Sequence, residues 1–111
     1  MELGELIAFL EEEDQGLTVD VGFHNPHSYR GYYDELAFEP TRNITVAEML
    51  ACAKSALGTT YHGWKGGEYE MLEYTRIWLA HKGQSGEGIS TLLLYYMFGK
   101  PEEYAMDDSD E

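Results

Sequence analysis

The chain has 111 residues, 43% of them hydrophobic and 25% charged, which is room for one globular domain with its own core. A single cysteine, Cys52, excludes an intramolecular disulfide, and no apolar run approaches the roughly 20 residues of a membrane span. The formal net charge of −14 is unevenly spread: residues 1–14 and 101–111 each hold six acids and no base, while residues 15–100 hold nine acids and all seven bases. A locally positive site is therefore compatible with an acidic protein.

In chain order, Leu3, Leu6, Ile7 and Leu10 have the i, i+3, i+4, i+7 spacing of a first amphipathic helix, for which Gly16 offers a terminator. The acids Glu11-Glu12-Glu13-Asp14 lie at its unfavourable, C-terminal end, as a solvated terminus or as a patch kept negative for a partner. Leu17, Val19, Val21 and Phe23 alternate with polar residues and predict a half-buried strand. Residues 24–35 are polar and aromatic without amphipathic period and predict an ordered loop, followed by a short strand at Leu36, Ala37 and Phe38 that Pro40 closes.

Thr45-Val46-Ala47-Glu48 fits a capping box and opens a second helix, with Val46, Met49, Leu50, Ala53 and Leu57 as its buried stripe and Gly58 as its cap. Residues 59–64 and 68–71 predict two strands about a Lys65-Gly66-Gly67 turn, residues 75–80 a further strand, and residues 81–88 a glycine-rich loop. The apolar run from Leu92 to Phe98 predicts a buried strand, and residues 101–111 a disordered acidic tail. The expected fold is α+β: two helices on a mainly antiparallel sheet, with residues 1–100 as one binding domain. The N-terminus has acids where a secretion signal needs positive charge, so the expected location is the cytoplasm, and the sequon at Asn43 carries little weight.

Catalytic patterns are weak. Cys52 sits between alanines inside a helix pattern and lacks the electropositive setting of a nucleophile. His24 and His27 have no second ligand pair to complete a zinc site with His62 or His81, and there is neither a phosphate loop nor a dinucleotide fingerprint. No catalytic residue, metal or cofactor is expected.

Binding chemistry is better represented. Three segments, Ser28-Tyr29-Arg30-Gly31-Tyr32, Tyr61-His62-Gly63-Trp64-Lys65-Gly66-Gly67 and Lys82-Gly83-Gln84-Ser85-Gly86, combine cations or hydroxyls with glycines, and the first two add aromatic rings. Flat bases take aromatic or guanidinium stacking, and phosphates take Arg, Lys and free backbone N–H groups. The competing reading makes Trp64 and Trp78 core residues and the glycines mere turn formers.

The stretch from Pro26-His27-Ser28-Tyr29-Arg30-Gly31-Tyr32-Tyr33-Asp34-Glu35-Leu36-Ala37, through Thr45-Val46-Ala47-Glu48-Met49-Leu50, to Gly58-Thr59-Thr60-Tyr61-His62-Gly63-Trp64-Lys65-Gly66-Gly67 resembles the phage anti-Thoeris sponges. The resemblance runs from the first helix to about Tyr96. It implies an oligomeric protein that captures a cyclic ADP-ribose isomer at sites where subunits meet and holds it uncleaved; some members also take cyclic oligonucleotides. Carried onto this chain, it implies Arg30 and Lys65 as phosphate partners, Tyr61 or Trp64 as a stacking surface and Lys82 as a further cation. His27, Ser28 and Gly66 complete the expected ligand set, and neither a nucleic-acid polymer nor a membrane is an expected partner. The acidic tail departs from the family pattern. The alternative is an acidic phage inhibitor that covers a basic protein surface, as a DNA mimic or nuclease inhibitor; its weakness is that twelve of the 21 acids occupy the ends.

Overall fold

The computed structural model describes residues 1–30, 32–62 and 66–100. The expected acidic tail lies outside them. The fold is α+β, with element order α1 (Leu3–Glu11), β1 (Thr18–Tyr29), β2 (Tyr32–Thr45), α2 (Val46–Ala56), β3 (Thr60–His62), β4 (Glu68–Glu70), β5 (Ile77–Leu79), β6 (Glu87–Gly88) and α3 (Thr91–Met97). A four-stranded sheet runs in the order β1-β2-β5-β6, antiparallel except for the parallel pair β2/β5, and β3 and β4 form a separate hairpin.

The apolar stripes of the helices meet the sheet in one core. Leu3, Leu6 and Leu10 of α1 and Val46, Met49, Ala53 and Ala56 of α2 pack with Phe23, Leu36, Phe38, Ile44 and Ile77. The Phe23 and Phe38 rings meet edge-on at 4.9 Å, a geometry that their quadrupoles favour. Thr45 caps α2 as its sequence motif requires: its side chain accepts from the Glu48 amide at 3.1 Å, and the Glu48 carboxylate accepts from the Thr45 amide at 3.4 Å. Gly58 follows the Leu57 C-cap with φ +82°, where a side chain would be strained. On the sequence-expected stripe, Leu50 is only partly buried and Leu57 is exposed; Ala56 takes the buried place instead.

Four sequence expectations are corrected. Residues 24–29 and 32–35 are not loop but the distal parts of strands β1 and β2. Two bulges disguise their alternation: the ladder slips between His24 and His27, and again between Ser28 and Tyr29. Pro40 does not close a strand; it pairs with Phe23 in mid-β2. Proline is tolerated there because β5 pairs only with Leu36–Phe38, leaving no ladder hydrogen bond for the missing N–H.

The apolar run after Ser90 is a third helix, α3, and not a buried strand. Ser90 Oγ caps it by accepting from the Leu93 amide at 3.2 Å, and Leu94 alone is fully buried, while Leu92 and Tyr96 face outward. Gly16 does not end α1, which stops at Glu11 with Glu12 as its cap. The acids beyond α1 meet cations brought from elsewhere: Glu11 pairs with Lys54 at 3.2 Å and Glu13 with Lys100 at 2.5 Å. Such pairs offset an unfavourable dipole end by fractions of a kcal/mol, roughly 0.2–1 each.

Candidate ligand cleft

The two hairpin irregularities shape a cleft. At the first, Asn25 takes a left-handed φ of +51° and precedes Pro26, so β1 gains one residue over β2 and bends. At the second, Ser28 pairs with Leu36 while Tyr29 pairs with Tyr32, so Tyr33, Asp34 and Glu35 swell out of the ladder. Ser28 Oγ fixes that swelling by donating to the Tyr33 carbonyl at 2.5 Å. Between the bent hairpin, the β3 strand and the 81–83 turn lies a cavity of about 910 Å³ lined by Asn25, Pro26, His27, Ser28, Arg30, Tyr33, Tyr61, His62, Lys82 and Gly83.

Five residues singled out by sequence reasoning, His27, Ser28, Arg30, Tyr61 and Lys82, therefore come together from three distant segments. Trp64 and Lys65 lie outside the described residues. Gly66, with φ +96° and open space where a side chain would project, is not among the lining residues. Sequence reasoning missed Asn25, Pro26 and Tyr33 as lining residues, while His62 and Gly83 belong to the binding segments of the sequence but not to its expected ligand set. An Asn-Pro step inside an alternating run signals a bulge, and that was the one available pointer to the first two.

The walls differ in chemistry. Pro26, Tyr33 and Tyr61 supply ring surface, with the Tyr61 hydroxyl donating to the Pro26 carbonyl at 3.4 Å. Burial raises the Tyr61 phenol above its ordinary 10.0, with a further push from Cys52, so it is a neutral donor at physiological pH. On the other side, Arg30 Nη1 donates to the Gly83 carbonyl at 2.8 Å, one residue from Lys82. Among the described residues neither Arg30 nor Lys82 forms an ion pair with a carboxylate, although acids outnumber bases threefold in the chain.

His27 is 7% exposed, and both of its ring nitrogens face backbone carbonyls: Nδ1 that of Ser28 at 3.1 Å, Nε2 that of Ala80 at 3.2 Å. A ring held in this way braces β1 against the segment after β5 and has no nitrogen directed at a reacting group. His62 is exposed at the rim, 3.9 Å from Glu68.

Behind the cleft, Tyr29 stacks on Trp78 at 4.5 Å and 7° and on Tyr32 at 6.1 Å and 13°. Trp78 Nε1 donates to Glu35 at 2.6 Å, and the Tyr29 hydroxyl accepts from the Gly86 amide at 3.0 Å. Trp78 is thus a partly buried support for the hairpin tip and not a fully buried core residue; Trp64, which the core reading joins to it, lies outside the described residues. Among the described residues no group of three His, Cys, Asp or Glu side chains converges to hold a metal ion, and no helix is long and apolar enough to cross a membrane. No family model, curated protein or solved structure matches the chain.

Proposed function

We propose that this protein binds and sequesters a cyclic nucleotide signal, a cyclic ADP-ribose isomer or a cyclic oligonucleotide, without cleaving it, and so silences a defence response in a phage-infected bacterial cytoplasm. The observation that carries this reading is the pair Arg30 and Lys82, cations without carboxylate partners among the described residues, lining one cleft with Tyr33 and Tyr61. An anionic ligand with flat rings satisfies both walls: phosphates neutralise the cations, and a base covers the tyrosine rings. The cavity of about 910 Å³ falls inside the roughly 300–1,000 Å³ typical of small-molecule sites. The resemblance to anti-Thoeris sponges supplies the class of nucleotide.

Capture without turnover suits the polar groups present. Both ring nitrogens of His27 face backbone carbonyls, and the neighbouring Ser28 hydroxyl donates to the Tyr33 carbonyl and not to His27. The working form in this proposal is a homo-oligomer with sites where subunits meet. Exposed rings such as Tyr32 at 60% and Tyr74 at 69% offer apolar surface for that association.

The test is to incubate the purified protein with a lysate containing an activated Thoeris signal-producing enzyme. The protein is then washed and heat-denatured, and the released nucleotide is identified by mass spectrometry. Release of an intact cyclic ADP-ribose isomer supports sequestration. A cleaved nucleotide makes the protein an enzyme, and an empty protein turns attention to a basic macromolecular partner.

A further inference from the structure

Glu39 is not among the lining residues of the cleft, yet it touches two of the segments that form it. One carboxylate oxygen accepts from the side-chain amide of Asn25, the left-handed residue of the first bulge. The other accepts from the backbone amide of Lys82 at 3.4 Å and lies 3.8 Å from His81 Nδ1. Asn25 and Lys82 are both lining residues, on opposite segments separated by 57 positions of chain. The Glu39 side chain is 20% exposed and meets both donors.

We propose that Glu39 is the positioning residue of the cleft: its ionised carboxylate clamps the Asn25 bulge to the 81–82 turn and so fixes where Lys82 stands relative to the hairpin. This rests on the cleft being the ligand site. A bulge residue at positive φ and a glycine-rich turn are each free to drift when untied. One carboxylate with two oxygens ties both, and an amide hydrogen bond to a charged acceptor is stronger than one to a neutral acceptor.

The donors also set its acidity. The Asn25 hydrogen bond first and the Lys82 amide next lower Glu39 from the ordinary 4.5; burial opposes them, and the fields of His27 and His81 add lesser lowering effects. The titratable and charged groups facing it are His24, its ladder partner on β1, His27 on the same strand, and His81 and Lys82 on the turn.

Two measurements on the whole protein test the clamp. In an NMR pH titration without ligand, the Lys82 backbone amide and the Asn25 side-chain amide are expected to shift together, with one midpoint below 4.5, and to lose that shared step in Glu39→Gln. A Lys82 amide that does not follow the Asn25 amide overturns the proposal. In calorimetry at neutral pH with cyclic ADP-ribose as the probe, Glu39→Ala is expected to bind about tenfold more weakly, the size of one lost charge-assisted hydrogen bond.

Glu39→Gln, which still accepts from Lys82 and can exchange an amide hydrogen bond with Asn25 but carries no charge, is expected to recover only part of that loss. Wild-type affinity in a folded Glu39→Ala protein also overturns the proposal. If Glu39→Ala does not fold, the wild-type titration and Glu39→Gln decide. If the wild type itself ignores the probe, cyclic ADP-ribose is not the ligand, and the titration alone decides whether Glu39 holds the turn.

Discussion

Arg30 reaches across 53 residues of sequence to donate a hydrogen bond from Nη1 to the carbonyl of Gly83 at 2.8 Å, joining the tip of the long hairpin to the glycine-rich turn. The contact is exposed and single, so the guanidinium keeps most of its five donors for something else. Gly83 itself sits at φ +79° with open space around it, and Lys82 precedes it. One hydrogen bond therefore ties Arg30 to the turn that carries Lys82, and both cations line one cleft in a protein whose other charges are mostly negative.

Arg30→Ala is expected to abolish most ligand capture while leaving the fold intact. Losing a charged hydrogen bond to a phosphate costs about 1.5–3 kcal/mol, which is roughly 10–100-fold in affinity. Loss of the exposed Gly83 contact costs the fold little, about 0.5–1 kcal/mol. Calorimetric titration with cyclic ADP-ribose alongside thermal unfolding separates the two. Unchanged affinity in a protein of normal melting temperature removes Arg30 from the site.

The same hairpin shows what could be read from sequence and what could not. The capping box at Thr45 and Glu48, the stripe of α1 and the strand expected at residues 75–80 follow from local spacing, and the structure has all three, the strand shortened to Ile77–Leu79. The distal hairpin failed because bulges at Asn25 and at Tyr33–Glu35 interrupt the period of two, and no single-residue pattern encodes a ladder slip. Helix α3 failed because Leu92 to Phe98 is apolar on every side; the Ser90 cap was the only local sign of its type.

The site was legible as chemistry but not as geometry. Arg30, Tyr61 and Lys82 announce themselves by residue type, whereas their convergence depends on the bend that Asn25 and Pro26 put into β1. Glu39 was invisible, one acid among 21, because its role depends entirely on which two amides it meets.

Gly86 controls the turn from its far end. A Cβ there would lie 2.0 Å from the Leu79 carbonyl oxygen and 2.7 Å from the Ala80 Cβ, neither of which is a flexible side-chain end. Gly86→Ala is expected to shift residues 81–88, break the Gly86 amide contact to Tyr29 and destabilise the fold by about 1–3 kcal/mol. Gly83→Ala meets no atom and costs only its strained φ, about 1 kcal/mol. Chemical denaturation of both variants checks the order; equal losses would mean that the turn absorbs a Cβ at residue 86 by moving freely.

Thr45→Ala tests the hinge between hairpin and helix. Thr45 ends β2 and caps α2, whose residues Val46, Met49 and Ala53 lie in the core. Removing the hydroxyl leaves the Glu48 amide without its acceptor, at a cost of about 1 kcal/mol. A fall in the denaturation midpoint with an unchanged slope is the expected result. Thr45→Ser, which keeps the acceptor, should recover most of the loss.

Tyr61 supplies the pH test. Its phenol is raised above 10.0 by burial, so the folded protein holds that proton more tightly than the unfolded chain does. The corresponding stability is fully present below pH 10.0 and is lost as the pH rises through the folded value. Tyr61→Phe lacks the titration and also loses the bond to the Pro26 carbonyl. The variant is therefore expected to be less stable than the wild type by a constant amount from neutral pH to about 9.5, with the gap narrowing above pH 10, where only the wild type pays for an ionising phenol. Denaturation curves at a series of alkaline pH values measure that gap. A gap that stays constant through pH 11 would mean that the ring is as well solvated as in the unfolded chain, and the tyrosine wall of the cleft would lose its dry character.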